Sequence, residues 1–258
     1  MTVSLKVGFD RTAKFAIIAV DRCRPHLQQL SLALPPSELN EANRFRQPAD
    51  SERFIISRAL LRYLCAAHLR VRAEAITFRR AAGGKPYVES ESPLSFSLSH
   101  SGNCVALAWS TSGPVGIDVE ATEPRDRQTF LEAGKRVFSS RELVVLVSVD
   151  DSVLPECFYR IWVRKEAVAK AHGAGIGAEL RSFSVAEKSA SSIAWSQQVR
   201  FPSDGSRWNI HELLAPPGHL ASVAVPDGTR VEESDLPELF GLRQTRESPA
   251  SRQSGSNR

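Results

Sequence analysis

Two stretches of the chain carry the spacing of long amphipathic helices, and each is followed by a run of short strand-like segments. Residues 48–69 (PADSERFIISRALLRYLCAAHL) form the first stretch, and about Ser152 to His172 the second, with Gly173 suited to close it. After the first come 75–79, 94–100, 104–110 and 115–120, divided by turn residues such as Gly83-Gly84 and Ser101-Gly102-Asn103. After the second come 183–185, 192–201, 207–214 and 220–225, all expected as antiparallel strands. A buried strand over 14–21 opens the fold, and Pro35-Pro36-Ser37 begins a short helix reaching about Arg46. A further helical block starts near residue 125, where Ser139-x-x-Glu142 has the form of a capping box. The order implies an α+β fold of two similar halves related by a pseudo-twofold, each a long helix packed on a small antiparallel sheet. The halves are residues 1–113 and 114–226, followed by an extension, 227–258, expected to be disordered from about 241.

Several function classes fall away on charge and hydropathy. The longest apolar runs, Phe15 to Val20 and Leu143 to Val147, are far shorter than the ~20 residues that cross a bilayer. The first 23 residues lack the small-residue cleavage site of a secretory signal, so the expectation is a cytoplasmic protein without membrane contact. Cys23, Cys65, Cys104 and Cys157 are widely spaced and read as buried free thiols, not as a zinc or disulfide framework. The pI near 9.0 invites a nucleic-acid partner. Four arginines after Gly241 (Arg243, Arg246, Arg252, Arg258) against Glu247 account for most of the formal +4, however. The body of the chain is nearly neutral and no nucleic acid is expected as a partner.

Four segments carry chemistry. In Gly116–Glu120 (GIDVE) a strand points Asp118 and Glu120 to one face, while Ile117 and Val119 face the core. Paired carboxylates repel each other and gain from sharing a hard cation, although an edge strand with ordinary surface acids gives the same pattern. In Trp162–Gly175, Trp162, Glu166 and Lys170 stack on one helical face, with Lys165 beside them. An exposed i,i+4 ion pair is the plain reading, and a third carboxylate beside Asp118 and Glu120 the functional one. Gly83–Tyr87 (GGKPY) offers close backbone approach, a lysine suited to phosphate and a stiff exit at Pro86. Phe96–Asn103 ends in Ser99, His100, Ser101 and Gly102; neighbours in a strand face opposite ways, so Ser99 and His100 suit phosphate or ribose contacts better than a nucleophile–base pair.

In their order these segments resemble the Sfp-type 4′-phosphopantetheinyl transferases. The likeness rests on Gly84-Lys85-Pro86, Phe96 to Gly102, Gly116 to Glu120 and Trp162 to Lys170, and spans about residues 35–226. The resemblance implies transfer of 4′-phosphopantetheine from coenzyme A to a serine of an apo acyl or peptidyl carrier protein, with release of 3′,5′-ADP. It further implies Mg2+ held by Asp118, Glu120 and Glu166, and coenzyme A held by Arg53, Lys85, Pro86, Ser99, His100, Asp118, Lys165, Glu166 and Lys170. Glu166, Lys170 and Asp118 become the catalytic group, with Glu166 the candidate base, in a monomeric enzyme. One departure stands out: several relatives carry basic residues just before the first long helix, where this chain has Glu38 and Glu41. Arg44, Arg46 or Arg53 is expected to take their place. The competing reading is a non-catalytic coenzyme A-binding regulatory protein.

Overall fold

The computed structural model describes residues 11–91, 93–173, 179–190 and 192–234. The expected tail from 241 lies outside them. The chain opens with β1 (Arg11–Ala19), then passes through the short helices α1 (Val20–Cys23), α2 (Leu27–Ser31) and α3 (Pro36–Ala42) into the 22-residue α4 (Pro48–Leu69). A hairpin of β2 (Phe78–Arg80) and β3 (Pro86–Val88) leads to β4 (Ser95–Ser101), β5 (Cys104–Ser110) and β6 (Gly116–Ala121). Helices α5 (Arg127–Val137), α6 (Ser140–Ser148) and α7 (Leu154–His172) follow. The described chain ends in β7 (Ala186–Ser189), β8 (Ser192–Trp195), β9 (Gln198–Arg200), β10 (Arg207–Leu213), β11 (His219–Pro226) and β12 (Thr229–Glu233). The protein is thus α+β, and no helix among the described residues is long and apolar enough to cross a membrane.

Local chemistry explains where the long helices start and stop. Proline in the first turn of α4 and of α7 costs no hydrogen bond there, because the first N–H groups of a helix have no internal partner. Gly173 closes α7 at φ 84°, the left-handed turn that glycine adopts without strain. The capping box of α6 is present in both directions, Ser139 taking the Glu142 N–H and the Glu142 carboxylate taking the Ser139 N–H.

Two four-stranded sheets organise the molecule, in the orders β12-β1-β5-β4 and β6-β11-β10-β9. Alternation along β5 divides its side chains between two cores. Val105 and Leu107 meet Ile56, Leu60, Leu61 and Leu64 of α4, while Cys104, Ala106 and Ala108 meet Ile117, Val119 and Val223 of the second sheet. A third core lies under α7, where Val168 and Ala171 pack with Ile210 and Ala224. Each fully buried leucine or isoleucine in these layers contributes about 2 kcal/mol.

Several boundaries differ from the sequence expectations. The opening strand stops at Ala19 because helix α1 begins at Val20. Residues 73–75 form a 3-10 turn, and the strand expected at 75–79 begins only at Phe78. Residues 180–182 are a 3-10 turn as well, so the strand expected at 183–185 starts at Ala186. The segment 192–201 splits between two sheets, β8 pairing with β7 and β9 with β10. β12, in the stretch expected only as an extension, runs parallel to β1 and so belongs to the first sheet, which is therefore not purely antiparallel.

Two layers approach closely at Gly116. A Cβ there would lie 2.1 Å from the Ala167 carbonyl oxygen and 2.3 Å from the Ala171 nitrogen, so the backbone of α7 rests directly on β6. Gly116→Ala must lift α7 from the sheet and is expected to cost about 3 kcal/mol. Urea denaturation measures this; an unchanged midpoint would contradict the packing.

Candidate active site between the two sheets

β4 and β6 are edge strands of different sheets, and they face each other. An edge strand presents N–H groups without ladder partners. Here serine hydroxyls, which both donate and accept, take them up. Ser97 Oγ accepts from the Ile117 N–H at 3.1 Å, and Ser101 Oγ accepts from the Ala121 N–H at 3.1 Å. Serine hydroxyls of β4 also reach the acids of β6: Ser101 donates to Glu120 Oε2 and Ser99 to Asp118 Oδ1, both at 2.7 Å. Alternation of serine along β4 therefore matches alternation of carboxylates along β6.

Helix α7 completes the cluster. Lys170 Nζ lies 2.6 Å from Asp118 Oδ1 and 2.9 Å from Ser99 Oγ. Glu166, one turn before Lys170, is 4% exposed, and its Oε1 has no hydrogen-bond partner among the described residues. Asp118 Oδ2 is in the same condition. The exposed Glu166–Lys170 pair of the plain reading is not what forms: the lysine crosses to β6 and Glu166 is left buried. Burial, then the charges of Asp118 and Glu120, push the Glu166 carboxyl up to about 7, with Lys170 opposing. Glu120 is raised too, by burial first, with its hydrogen bond from Ser101 opposing and Asp118 adding to the rise.

Glu166 and Lys170 form one end of a cleft of about 550 Å3 whose wall includes Gly83 to Pro86 and His100. Lys85 donates from Nζ to the Val115 carbonyl at 2.9 Å, and burial lowers it to about 8. His100 is exposed on the cleft wall; desolvation, with Arg53 and Lys170 nearby, holds it below the ordinary histidine value. Three of the four segments singled out in the sequence thus line one cleft, and the fourth, β6, supplies carboxylates at its end.

Three expected cofactor contacts are engaged elsewhere. Lys165 is 1% exposed; it donates to Glu142 at 2.8 Å and to the Phe183 carbonyl at 2.6 Å, tying α7 to α6. Glu142 also accepts from the Val185 N–H at 2.8 Å, so the pair is satisfied internally. Arg53 bonds Asp50 and donates to the Gly102 carbonyl at 3.1 Å, and it does not line the cleft. Ser99 is buried and spends its hydroxyl on Asp118 and Lys170. Sequence reasoning missed Ser97 and Ser101 as the clasp between the sheets, although the S-x-S-x-S alternation of Ser97, Ser99 and Ser101 carried the signal. It also missed Arg58 on the cleft wall, which a plain helical repeat does not mark. The four cysteines are free and buried, and Cys23, Cys104 and Cys157 are raised to about 11 and Cys65 to about 12 by burial, so no reactive thiol competes for the chemistry.

The donor set suits a hard divalent cation: three carboxylates, two of them with buried oxygens that lack partners. As they stand, no three acid, imidazole or thiol groups among the described residues are gathered tightly enough to hold a metal ion. The local positive charge is that of Lys170.

With this geometry in hand, comparison with known proteins defines the class. Residues 114–224 match the 4′-phosphopantetheinyl transferase superfamily, and residues 22–112 match the N-terminal part of 4′-phosphopantetheinyl transferases. The chain is 35% identical to the 4′-phosphopantetheinyl transferase HetI of Nostoc sp., over 81% of this chain and 85% of that one. It is 30% identical to the 4′-phosphopantetheinyl transferase Sfp of Bacillus subtilis, over 75% and 84% respectively. The human L-aminoadipate-semialdehyde dehydrogenase-phosphopantetheinyl transferase is 28% identical over 78% of this chain and 70% of its own. The chain belongs to the 4′-phosphopantetheinyl transferase superfamily.

The state of Glu166 has a thermodynamic consequence. Its folded value of about 7 lies above the ordinary 4.5, so the folded protein keeps a proton that the unfolded chain releases. This contribution to stability is full below the unfolded value and is lost as pH rises through about 7, a change of about 3 kcal/mol. In chelator-treated protein, Glu166→Gln is expected to gain stability relative to the parent across this window and to level off above it. Denaturant midpoints measured at half-unit pH steps check this, and a constant difference would contradict the burial.

Proposed function

We propose that the protein transfers the 4′-phosphopantetheine arm of coenzyme A to a serine hydroxyl of an apo carrier protein, releasing 3′,5′-ADP. One observation carries the reading. A buried carboxylate poised near neutrality, Glu166, stands beside the Lys170–Asp118 pair at the end of a cleft walled by the glycine-lysine-proline hairpin. Family membership supports the same conclusion. Phosphoryl transfer needs positioning and charge neutralisation more than covalent help, and this wall offers both.

Each residue then has a task. Lys170 neutralises charge on the pyrophosphate that coenzyme A brings to the cleft, and Lys85 offers a second cationic donor along the wall. Ser99 fixes the orientation of Asp118 through its 2.7 Å hydrogen bond. Glu166 accepts the proton of the incoming serine hydroxyl, for which its unpartnered oxygen at the end of the cleft is placed. Asp118, Glu120 and Glu166 would hold Mg2+, which when bound supplies Lewis-acid stabilisation of the phosphate charge. The same reading makes the protein a cytoplasmic monomer built as two pseudo-twofold halves; family matches that meet between residues 112 and 114 support the boundary between the halves.

The test is incubation with coenzyme A, Mg2+ and a panel of apo-carrier domains, followed by intact-mass measurement. One carrier or more should gain the mass of a single phosphopantetheine, and chelator should stop the gain. Asp118→Asn and Glu166→Gln, each with a native circular dichroism spectrum, should lower single-turnover rates on the order of 100-fold or more. Parental rates in both variants, or undiminished transfer in chelator, would contradict the assignment.

A further inference from the structure

We propose that Ser222 is a positioning residue for Asp118: from β11 its hydroxyl fixes the second carboxylate oxygen of that acid through one buried water shared between them. The inference rests on the functional reading above, and it adds to the site a residue that none of the sequence motifs contains.

Strand register brings the two side chains together. β11 pairs antiparallel with β6, and Ser222 lies directly opposite Asp118. Residues opposite each other in a sheet project from the same face, with Cβ atoms about 5 Å apart. Gly116 and Asp118 share that face of β6, and α7 rests on it at Gly116. Ser222 therefore lies under the helix that carries Glu166 and Lys170. It is 0% exposed, and Asp118 is 2% exposed.

Asp118 has a serine on each side. β4 flanks β6 on one side, where Ser99 donates to Asp118 Oδ1 at 2.7 Å and Lys170 joins it at 2.6 Å. β11 flanks β6 on the other side, where Ser222 stands. Asp118 Oδ2 and Ser222 Oγ are both buried, and neither has a hydrogen-bond partner among the described residues. A single water satisfies two such atoms on facing positions that make no direct bond.

Packing alone gives no reason for a hydroxyl here. The other residues of β11 from Ala221 to Val225 are alanine or valine, and all are buried. Alanine would differ from Ser222 by one oxygen, and that oxygen costs free energy when it is buried without a bond. Ser57, Ser97, Ser99, Ser110 and Ser139 are buried as well, and each is hydrogen-bonded. Ser222 is the exception among the described residues, and it is set against a carboxylate oxygen in the same condition.

Reaction chemistry gives the contact its task. Lys170 is drawn toward phosphate charge when coenzyme A enters, which loosens its hold on Asp118 Oδ1. An anchor on Oδ2 keeps the carboxylate oriented through that exchange. A carboxylate oxygen has two lone pairs, so Oδ2 bonded to water still offers one to Mg2+. Ser222 touches neither coenzyme A nor the reacting atoms; it acts through Asp118.

The experiment has two arms. In chelator, urea midpoints are compared for the full chain, Ser222→Ala, Asp118→Ala and the double variant. Ser222→Ala should lower the midpoint in the parent and leave it unchanged or raise it in the Asp118→Ala background, where the water has lost its second partner. The same shift in both backgrounds would overturn the proposal. In the second arm, Mn2+ affinity is read by electron paramagnetic resonance without coenzyme A, and transfer to an apo-carrier is read with it. Ser222→Ala should weaken Mn2+ binding and lower kcat, each about tenfold, with KM for coenzyme A unchanged. Ser222→Thr, which keeps the hydroxyl, should restore most of both. Parental Mn2+ affinity and kcat in Ser222→Ala, or a loss confined to KM, would overturn the proposal. If threonine is not accommodated under α7, the alanine results decide alone. A parent that neither binds Mn2+ nor transfers, beside an intact coupling in urea, would overturn the functional reading and leave the contact between Ser222 and Asp118 standing.

Discussion

The contact between β4 and β6 is the interaction on which the rest of the molecule depends. Two sheet edges meet there, and each would be a liability alone, with N–H groups open to water or to a stray strand. Serine hydroxyls resolve this without merging the sheets. Ser97 and Ser101 take the N–H groups of Ile117 and Ala121, and Ser99 and Ser101 bind the acids between them. A continuous backbone ladder would have joined the two sheets directly across this edge. Side-chain bridging keeps them as separate layers, so that the acids of β6 stand at the seam and α7 can lie across them.

Electrostatics at this seam runs against stability, as it does where a site is arranged for chemistry. Asp118, Glu120 and Glu166 are brought together in a setting where burial disfavours charge, and Lys170 relieves it together with the hydroxyls of Ser99 and Ser101. The contrast with the neighbouring Glu142 is instructive. That carboxylate is equally buried, yet Lys165, Ser139 and Val185 all donate to it. One acid is satisfied and structural; the other, next to Lys165 on α7, is left with an unpartnered oxygen among the described residues.

Much of this was legible from the chain, for reasons that are local. Pro at the start of α7, Gly173 at its end and the Ser139–Glu142 box are signals within a few residues, and the structure contains each of them. The i,i+2 spacing of Asp118 and Glu120 and the turn between Glu166 and Lys170 follow from strand and helix periods alone. What was not legible depends on distant partners. β12 has no apolar run to announce it, and its partner β1 lies at the opposite end of the chain. Lys165 and Lys170 look alike in sequence, because α7 is buried around most of its circumference and periodicity cannot say which side meets β6 and which meets α6. Glu38 reads as a missing cation until Arg58 and Arg62 are seen to converge on it.

The central claim is that the acids of β6 and α7 act together as one site at the end of the cleft. Crystals grown with coenzyme A and Mn2+, with diffraction recorded at the manganese absorption edge, test it most directly. The account predicts a manganese peak among the carboxylates of Asp118, Glu120 and Glu166, beside the pyrophosphate. Coenzyme A bound in the cleft with no manganese at these three residues, or with the ion held elsewhere, would contradict it.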